Sequence, residues 1–323
     1  MASAPEDINC SEQVFDIDFH PNGNFVAAGL IDGSVELWQY GVNGVANQAV
    51  MSVKNHASSC RSVLFSDFGD KLYSISSDKS LRAIDGNGNQ ILCRSNAHDS
   101  AINRLIKLSE DVLVTGDDSG VVKLWDLRTV GGDAAPAMEW HVHQDFIAGL
   151  TYSAERETIV SISGDSSLCA YDIRSENVYM QSEQQESELS CVQIVRGGAQ
   201  ILCGTQDGVM LLFSWDDWGD CSDRFPGHPE TVDSMWKIDE STVVTGSSDG
   251  FLRVVSLHPN KILGVIGDHE EFPVEGMCAS RDGRVLGSFA HDEVIRFWDI
   301  SEIDSHDYSN SVADTSSFTA GFI

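Results

Sequence analysis

The sequence predicts an all-β chain: seven four-stranded antiparallel blades closed into a β-propeller. Three observations carry that expectation. Residues 113–128, LVTGDDSGVVKLWDLR, read as a strand, a tight turn and a second strand. An apolar run at Val112, Leu113 and Val114 breaks over Gly116, Asp117, Asp118, Ser119 and Gly120, then resumes at Val122 and Leu124 before Trp125 and Asp126. Second, equivalents of Trp125 recur at Trp38, Ile84, Tyr171, Phe213, Val255 and Trp298, spaced 41 to 46 residues apart. Third, polar marks keep phase with these anchors. An Asp stands six places before six of them, at Asp32, Asp78, Asp165, Asp207, Asp249 and Asp292. The third repeat has Ser119 there, with Asp118 adjacent. A His stands 27 to 29 places before five anchors, at His56, His98, His143, His228 and His269. A period of about 40–45 residues suits one blade of about four strands.

These marks resemble the WD-repeat family, and the resemblance covers nearly the whole chain. In that family the His, a strand Ser or Thr, the turn Asp and the Trp form a buried relay. The resemblance therefore implies structural roles for the five His and six Asp above, with Trp38, Trp125 and Trp298. Repeat seven carries a full set in His269, Ser288, Asp292 and Trp298. Where the anchor is Ile, Tyr, Phe or Val, the relay is expected to be truncated. Each such bond contributes about 1 kcal/mol net, and more is lost when a buried partner is left unpaired. Recurrence once per blade favours this structural role over catalysis, since an active site would occur once.

Blade one is expected to run through residues 14–19, a turn at His20, Pro21, Asn22 and Gly23, residues 25–29 and residues 35–38. Residues 5–11 are a candidate outer strand for blade seven, because joining the chain ends removes a free edge. A Gly/Asn-rich loop at 41–47 precedes the outer strand of blade one. Blade two begins near Cys60 and blade three near Ile102; a loop at 129–136 follows the latter. Blade four begins at Ile147. The connection 176–188 is acidic and Gln-rich, and is expected to be an ordered turn with a mobile tip. Trp215 and Trp218 follow the anchor of blade five, either exposed for a partner or folded back on the neighbouring blade. Residues 1–300 thus form the propeller. Residues 301–323, Ser- and Asp-rich, are expected to be a disordered tail.

Composition excludes several classes of function. The formal net charge is −30, which argues against a broad nucleic-acid surface or an anionic membrane and favours basic protein partners. No apolar run approaches the roughly 18 residues of a membrane span, and residues 1–10 lack a secretion signal. The eight Cys contain no C-x-x-C pair and read as small buried residues in a reducing compartment. No metal spacing, nucleophile–base pair or phosphate-cradling loop stands out, so the expectation is a non-enzyme without cofactor or metal.

Two further resemblances concern partners. Local stretches such as Cys60–Ser66 and the block from Gly246 to His269 resemble one branch of the WD-repeat family. That branch implies a nuclear or nucleolar place, ribosomal RNA production, development and cell-cycle progression, with basic ribosome-assembly proteins as partners. The acidic tail lacks the branch's basic extension, so a nuclear and cytoplasmic location is the expectation. Arg128 and Arg174 each stand three places past an anchor, in Trp125-Asp126-Leu127-Arg128 and Tyr171-Asp172-Ile173-Arg174. These boxes resemble those by which propellers dock on the damaged-DNA-binding adaptor of cullin-RING ubiquitin ligases. The resemblance makes Arg128, Arg174, Asp126 and Asp172 the candidate partner-binding residues; an Arg fork can pair bidentately with a carboxylate. A solvated Arg paired only with its neighbouring Asp is the plainer alternative.

Overall fold

The computed structural model describes residues 4–42, 44–129, 135–215 and 217–303. Its strands form seven four-stranded antiparallel sheets. The first strands of the seven sheets contact one another in a closed circle and so line a central channel. The resulting architecture is a seven-bladed propeller. In blades one to six the four strands are consecutive in sequence. Blade seven takes its outer strand from the other end of the chain: Ile8–Asn9 pairs with Val294–Asp299, Ile8 opposite Ile295. The Cys10 amide extends this seam by donating to the Glu293 carbonyl at 2.9 Å.

Blade three shows how the local sequence makes a blade. Val112–Asp117 and Val121–Asp126 pair antiparallel, with Leu113 opposite Trp125 and Thr115 opposite Lys123. Gly120 closes the turn at φ +82°, and a Cβ there would lie 2.6 Å from the His143 carbonyl oxygen. Only Gly supplies both the left-handed backbone and that close approach. Residues 176–188 are less loop-like than their composition suggests, because Asn177–Gln181 forms the outer strand of blade four. The expected loop at 129–136 falls largely outside the described residues, and so does the expected tail beyond Ile303.

An apolar cluster fills each junction between neighbouring blades. Six of the seven clusters include the apolar residue two places past an anchor: Tyr40, Leu127, Ile173, Trp215, Leu257 and Ile300. That residue is Gly86 in blade two. Trp215 and Trp218 fold back rather than offer themselves to a partner. They stack on each other at 5.1 Å in the cluster between blades four and five, under the Arg156 guanidinium.

The relays depart from the sequence pattern in instructive ways. Blade three has a complete one, in addition to blade seven. His98 Nδ1 donates to Asp117 at 2.9 Å, Nε2 meets Thr115 Oγ1 at 2.7 Å, and Trp125 Nε1 donates to the same hydroxyl at 2.8 Å. The carboxylate comes from Asp117 at the strand end, not from position 119 or from Asp118. Reaching from two residues earlier, it still accepts from the amides of Ser119 and Val121, so it caps the turn as the other Asp residues do. Blade seven has His269 between Asp292 and Ser288, with Trp298 donating to Ser288.

Of the four repeats without Trp, those of blades two and four regain a donor in its place. In blade four the Tyr171 hydroxyl takes the Trp role on Ser161, and His143 bridges Ser161 and Asp165. In blade two Asn55 Nδ2 donates to Ser74, whose hydroxyl meets His56; His56 lies 3.3 Å from Asp78. Four expected members stand outside any relay. Asp32 pairs with Lys54, since its repeat has no His. Asp207 is exposed, and Gln185 stands where a His would approach it. Asp249 pairs with Arg253 instead of His228, whose Nδ1 is left without a partner among the described residues. A guanidinium attracts a carboxylate more strongly than a neutral imidazole does. Trp38 donates to Glu36 rather than to a strand hydroxyl.

Candidate docking face

Each blade turns after its third strand, on one face of the ring. The residue three places past the anchor sits in that turn, as Gly41, Asn87, Arg128, Arg174, His258 and Ser301 in six repeats; that of the remaining repeat, Asp216 in sequence, lies outside the described residues. Only blades three and four, which are neighbours, place Arg there. Asp126 and Asp172 end their strands and aim each Arg. Arg128 donates Nε to Asp126 Oδ1 at 2.9 Å and Nη2 to Oδ2 at 2.6 Å, while its own amide donates to Oδ1 at 3.0 Å. Arg174 repeats this on Asp172, with Nε at 3.1 Å and the amide at 2.9 Å, and Glu157 Oε2 lies 3.4 Å from its Nε.

Both guanidinium groups remain open to solvent, with side chains 68% and 64% exposed. The bonds from Arg128 hold the Asp126 carboxyl down to about 2, and those from Arg174 hold Asp172 below its usual range. The two forks are therefore fixed cations in an acidic protein. Leu127 and Ile173, between Asp and Arg in each box, pack into the blade junctions and anchor the turns. Arg128, Arg174, Asp126 and Asp172 thus share one face at matching places on adjacent blades.

The recurring His and Asp are arranged differently. Both ring nitrogens of His98, His143 and His269 are engaged inside their own blades, and all three imidazoles are fully buried. Their geometry fixes turns and offers no ring face to a substrate.

The channel wall carries carboxyls that the sequence did not mark. Asp16 and Asp18, on Val14–Phe19, accept from the amides of Val63 and Phe65 at 3.0 and 2.7 Å, fastening blade one to blade two. Asp233 accepts from Ser248 at 2.7 Å. Burial raises Asp16 to about 6, and Asp18 and Asp233 to about 7. At these three positions the folded chain holds protons that the unfolded one has released between about pH 4 and 7, so their contribution to stability falls as pH rises through that window. Asp233→Asn keeps an acceptor for Ser248. It is expected to raise stability by about 1–2 kcal/mol at pH 8, with the gain fading toward pH 4; solvent in the channel keeps it below the full value of the shift. Urea melts at both pH values check this. His56 and His228 act in the opposite direction: burial lowers both to about 4, so their contribution is lost as pH falls from about 6.5.

Comparison with known proteins matches this ring along its length. A model of the WDR55 family matches residues 5–303. WD repeat-containing protein 55 of Arabidopsis thaliana is 39% identical over 299 residues, covering 92% of this chain and 83% of the relative. The Homo sapiens protein of that name is 35% identical over 304 residues, covering 94% and 78%. WD repeat-containing protein JIP5 of Coprinopsis cinerea is 38% identical over 305 residues, covering 91% and 74%. With seven blades, their junction clusters and this match across nearly all of them, the chain belongs to the WD repeat-containing protein 55 family.

Proposed function

We propose that this scaffold is a substrate receptor that docks on the damaged-DNA-binding adaptor of cullin-RING ubiquitin ligases. One observation carries the reading: two exposed, carboxylate-aimed Arg forks at matching turns of adjacent blades, Arg128 and Arg174. Each presents a planar donor group in a fixed orientation, suited to bidentate capture of carboxylates on a partner. Docking there leaves the opposite face and the other blades free to hold a target. A role in development and cell-cycle progression, in nucleus and cytoplasm, belongs to the same proposal.

The test is binding of the purified chain to the adaptor. Arg128→Ala plus Arg174→Ala is expected to weaken binding at least tenfold, since exposed Arg anchors each contribute over 1 kcal/mol at many interfaces. The double variant should melt like the wild type, because both side chains lie outside the blade cores. Undiminished binding would place docking on another surface.

The acidity of the chain favours a second reading, a scaffold in ribosomal RNA production that holds basic assembly proteins. A net charge of −30 steers such partners over a distance set by salt. Association rates that fall as salt rises support this reading, and rates indifferent to salt count against it.

A further inference from the structure

Blade two lacks the apolar plug that the other six blades carry. In those blades the side chain two places past the anchor enters the junction with the preceding blade, as Leu127 does between blades two and three and Ile173 between blades three and four. Gly86 holds this position between blades one and two. An apolar cavity of about 190 Å³ opens there, lined by Phe25, Leu37, Met51, Phe65, Leu72 and Gly86 itself. Its size exceeds that of an apolar cavity of about 150 Å³ that admits benzene. A Cβ added at Gly86 would meet nothing within 4 Å. The space belongs to a side chain that this chain's own repeat does not supply.

We infer that the socket takes a large apolar side chain of a partner peptide flanked by Lys or Arg. The rim supplies the charge preference. Asp85 accepts only neutral donors, from the amides of Asn87 and Asn89 at 2.9 Å and from Asn89 Nδ2 at 3.0 Å. Asp70 accepts from the Ser66 hydroxyl at 2.7 Å. Lys71, which also lines the cavity, pairs with Glu110 at 3.3 Å. Two carboxylates at the mouth are thus left without an opposite charge among the described residues. The lining also includes the exposed Val50, 48% open to solvent. An apolar site, half open to solvent, beside two carboxylates fits a basic peptide with one aromatic or aliphatic anchor. The socket lies on the face of Arg128 and Arg174, because Asp85-Gly86-Asn87 occupies the place of Asp126-Leu127-Arg128. It needs no ligase adaptor to act.

The experiment uses the full chain and fluorescein-labelled heptapeptides Lys-Lys-Ser-X-Ser-Lys-Lys, with X as Leu, Phe or Trp. At least one is expected to bind, and to do so tenfold more tightly than the peptides with Ala at X or Glu for Lys. Gly86→Leu supplies the missing plug. Gly86 is absent from the left-handed positions, unlike Gly88 at φ +80°, so Leu is tolerated by the backbone. That variant should melt no lower than wild type and bind tenfold more weakly. Asp70→Asn plus Asp85→Asn leaves the apolar walls intact. It should reduce the preference for Lys over Glu and keep that for Phe over Ala, which gives a reading even if Gly86→Leu folds poorly. The inference is overturned if none of the three peptides binds, if folded Gly86→Leu binds like wild type, or if the double Asn variant keeps its full charge preference.

Discussion

Asp117→Ala is expected to destabilise the propeller by about 3–5 kcal/mol, measured as a fall in the denaturant midpoint. Asp117 is 1% exposed and accepts from His98 Nδ1, from the amides of Ser119 and Val121, and from the Ser119 hydroxyl. Burial alone would raise its carboxyl, but the bonds led by His98 outweigh it and hold the group below its usual range. Truncation leaves those donors buried and unanswered, and each unpaired buried group costs about 1–3 kcal/mol. Asp118→Ala provides the contrast. Asp118 sits at the surface, taking Asn103 Nδ2 and lying 3.9 Å from Arg61, so its loss should cost about 1 kcal/mol or less. Equal effects from the two substitutions would mean that the carboxylate of the third relay has been misassigned.

Trp218→Ala is expected to cost a similar amount, about 3–5 kcal/mol, through a cavity rather than a lost bond. Trp218 is 1% exposed and packs with Trp215, Phe213 and Ile201 between blades four and five. Trp218→Phe separates packing from polarity. The indole Nε1 has no hydrogen-bond partner among the described residues, so replacing it removes an unsatisfied donor along with some volume. Its cost should therefore be well under half that of Ala. A Trp218→Ala protein as stable as wild type would show that the indole does not hold the junction together.

The ring was legible because its signal is periodic. Seven anchors at near-constant spacing specify seven blades even where the anchor is Ile84 or Val255, since each occupies the same buried strand position. What spacing could not rank was competition between partners. Asp249 keeps its turn position but faces Arg253, and an ion pair four residues apart displaces the imidazole. Asp117 was hidden because a carboxylate at the strand end reaches the same His from another register. Tyr171 and Asn55 each supply a donor where Trp is missing, a chemical equivalence that matching residue types overlooks. A signal for the socket lies two places past the anchors, at Tyr40, Gly86, Leu127, Ile173, Trp215, Leu257 and Ile300. One Gly among six large apolar residues marks the junction that keeps a cavity beside its cluster.

The docking boxes were legible as residues but not as geometry. Spacing puts Arg128 and Arg174 past their anchors on neighbouring blades; the fold adds that each fork is aimed by its own Asp. The measurement that tests this account most directly is hydrogen exchange on the full chain, alone and with the ligase adaptor. The account predicts added protection at residues 126–128 and 172–174, with the opposite turns at 117–120 and 164–167 exchanging as before. Protection confined to those opposite turns, with 126–128 and 172–174 unchanged, would contradict it.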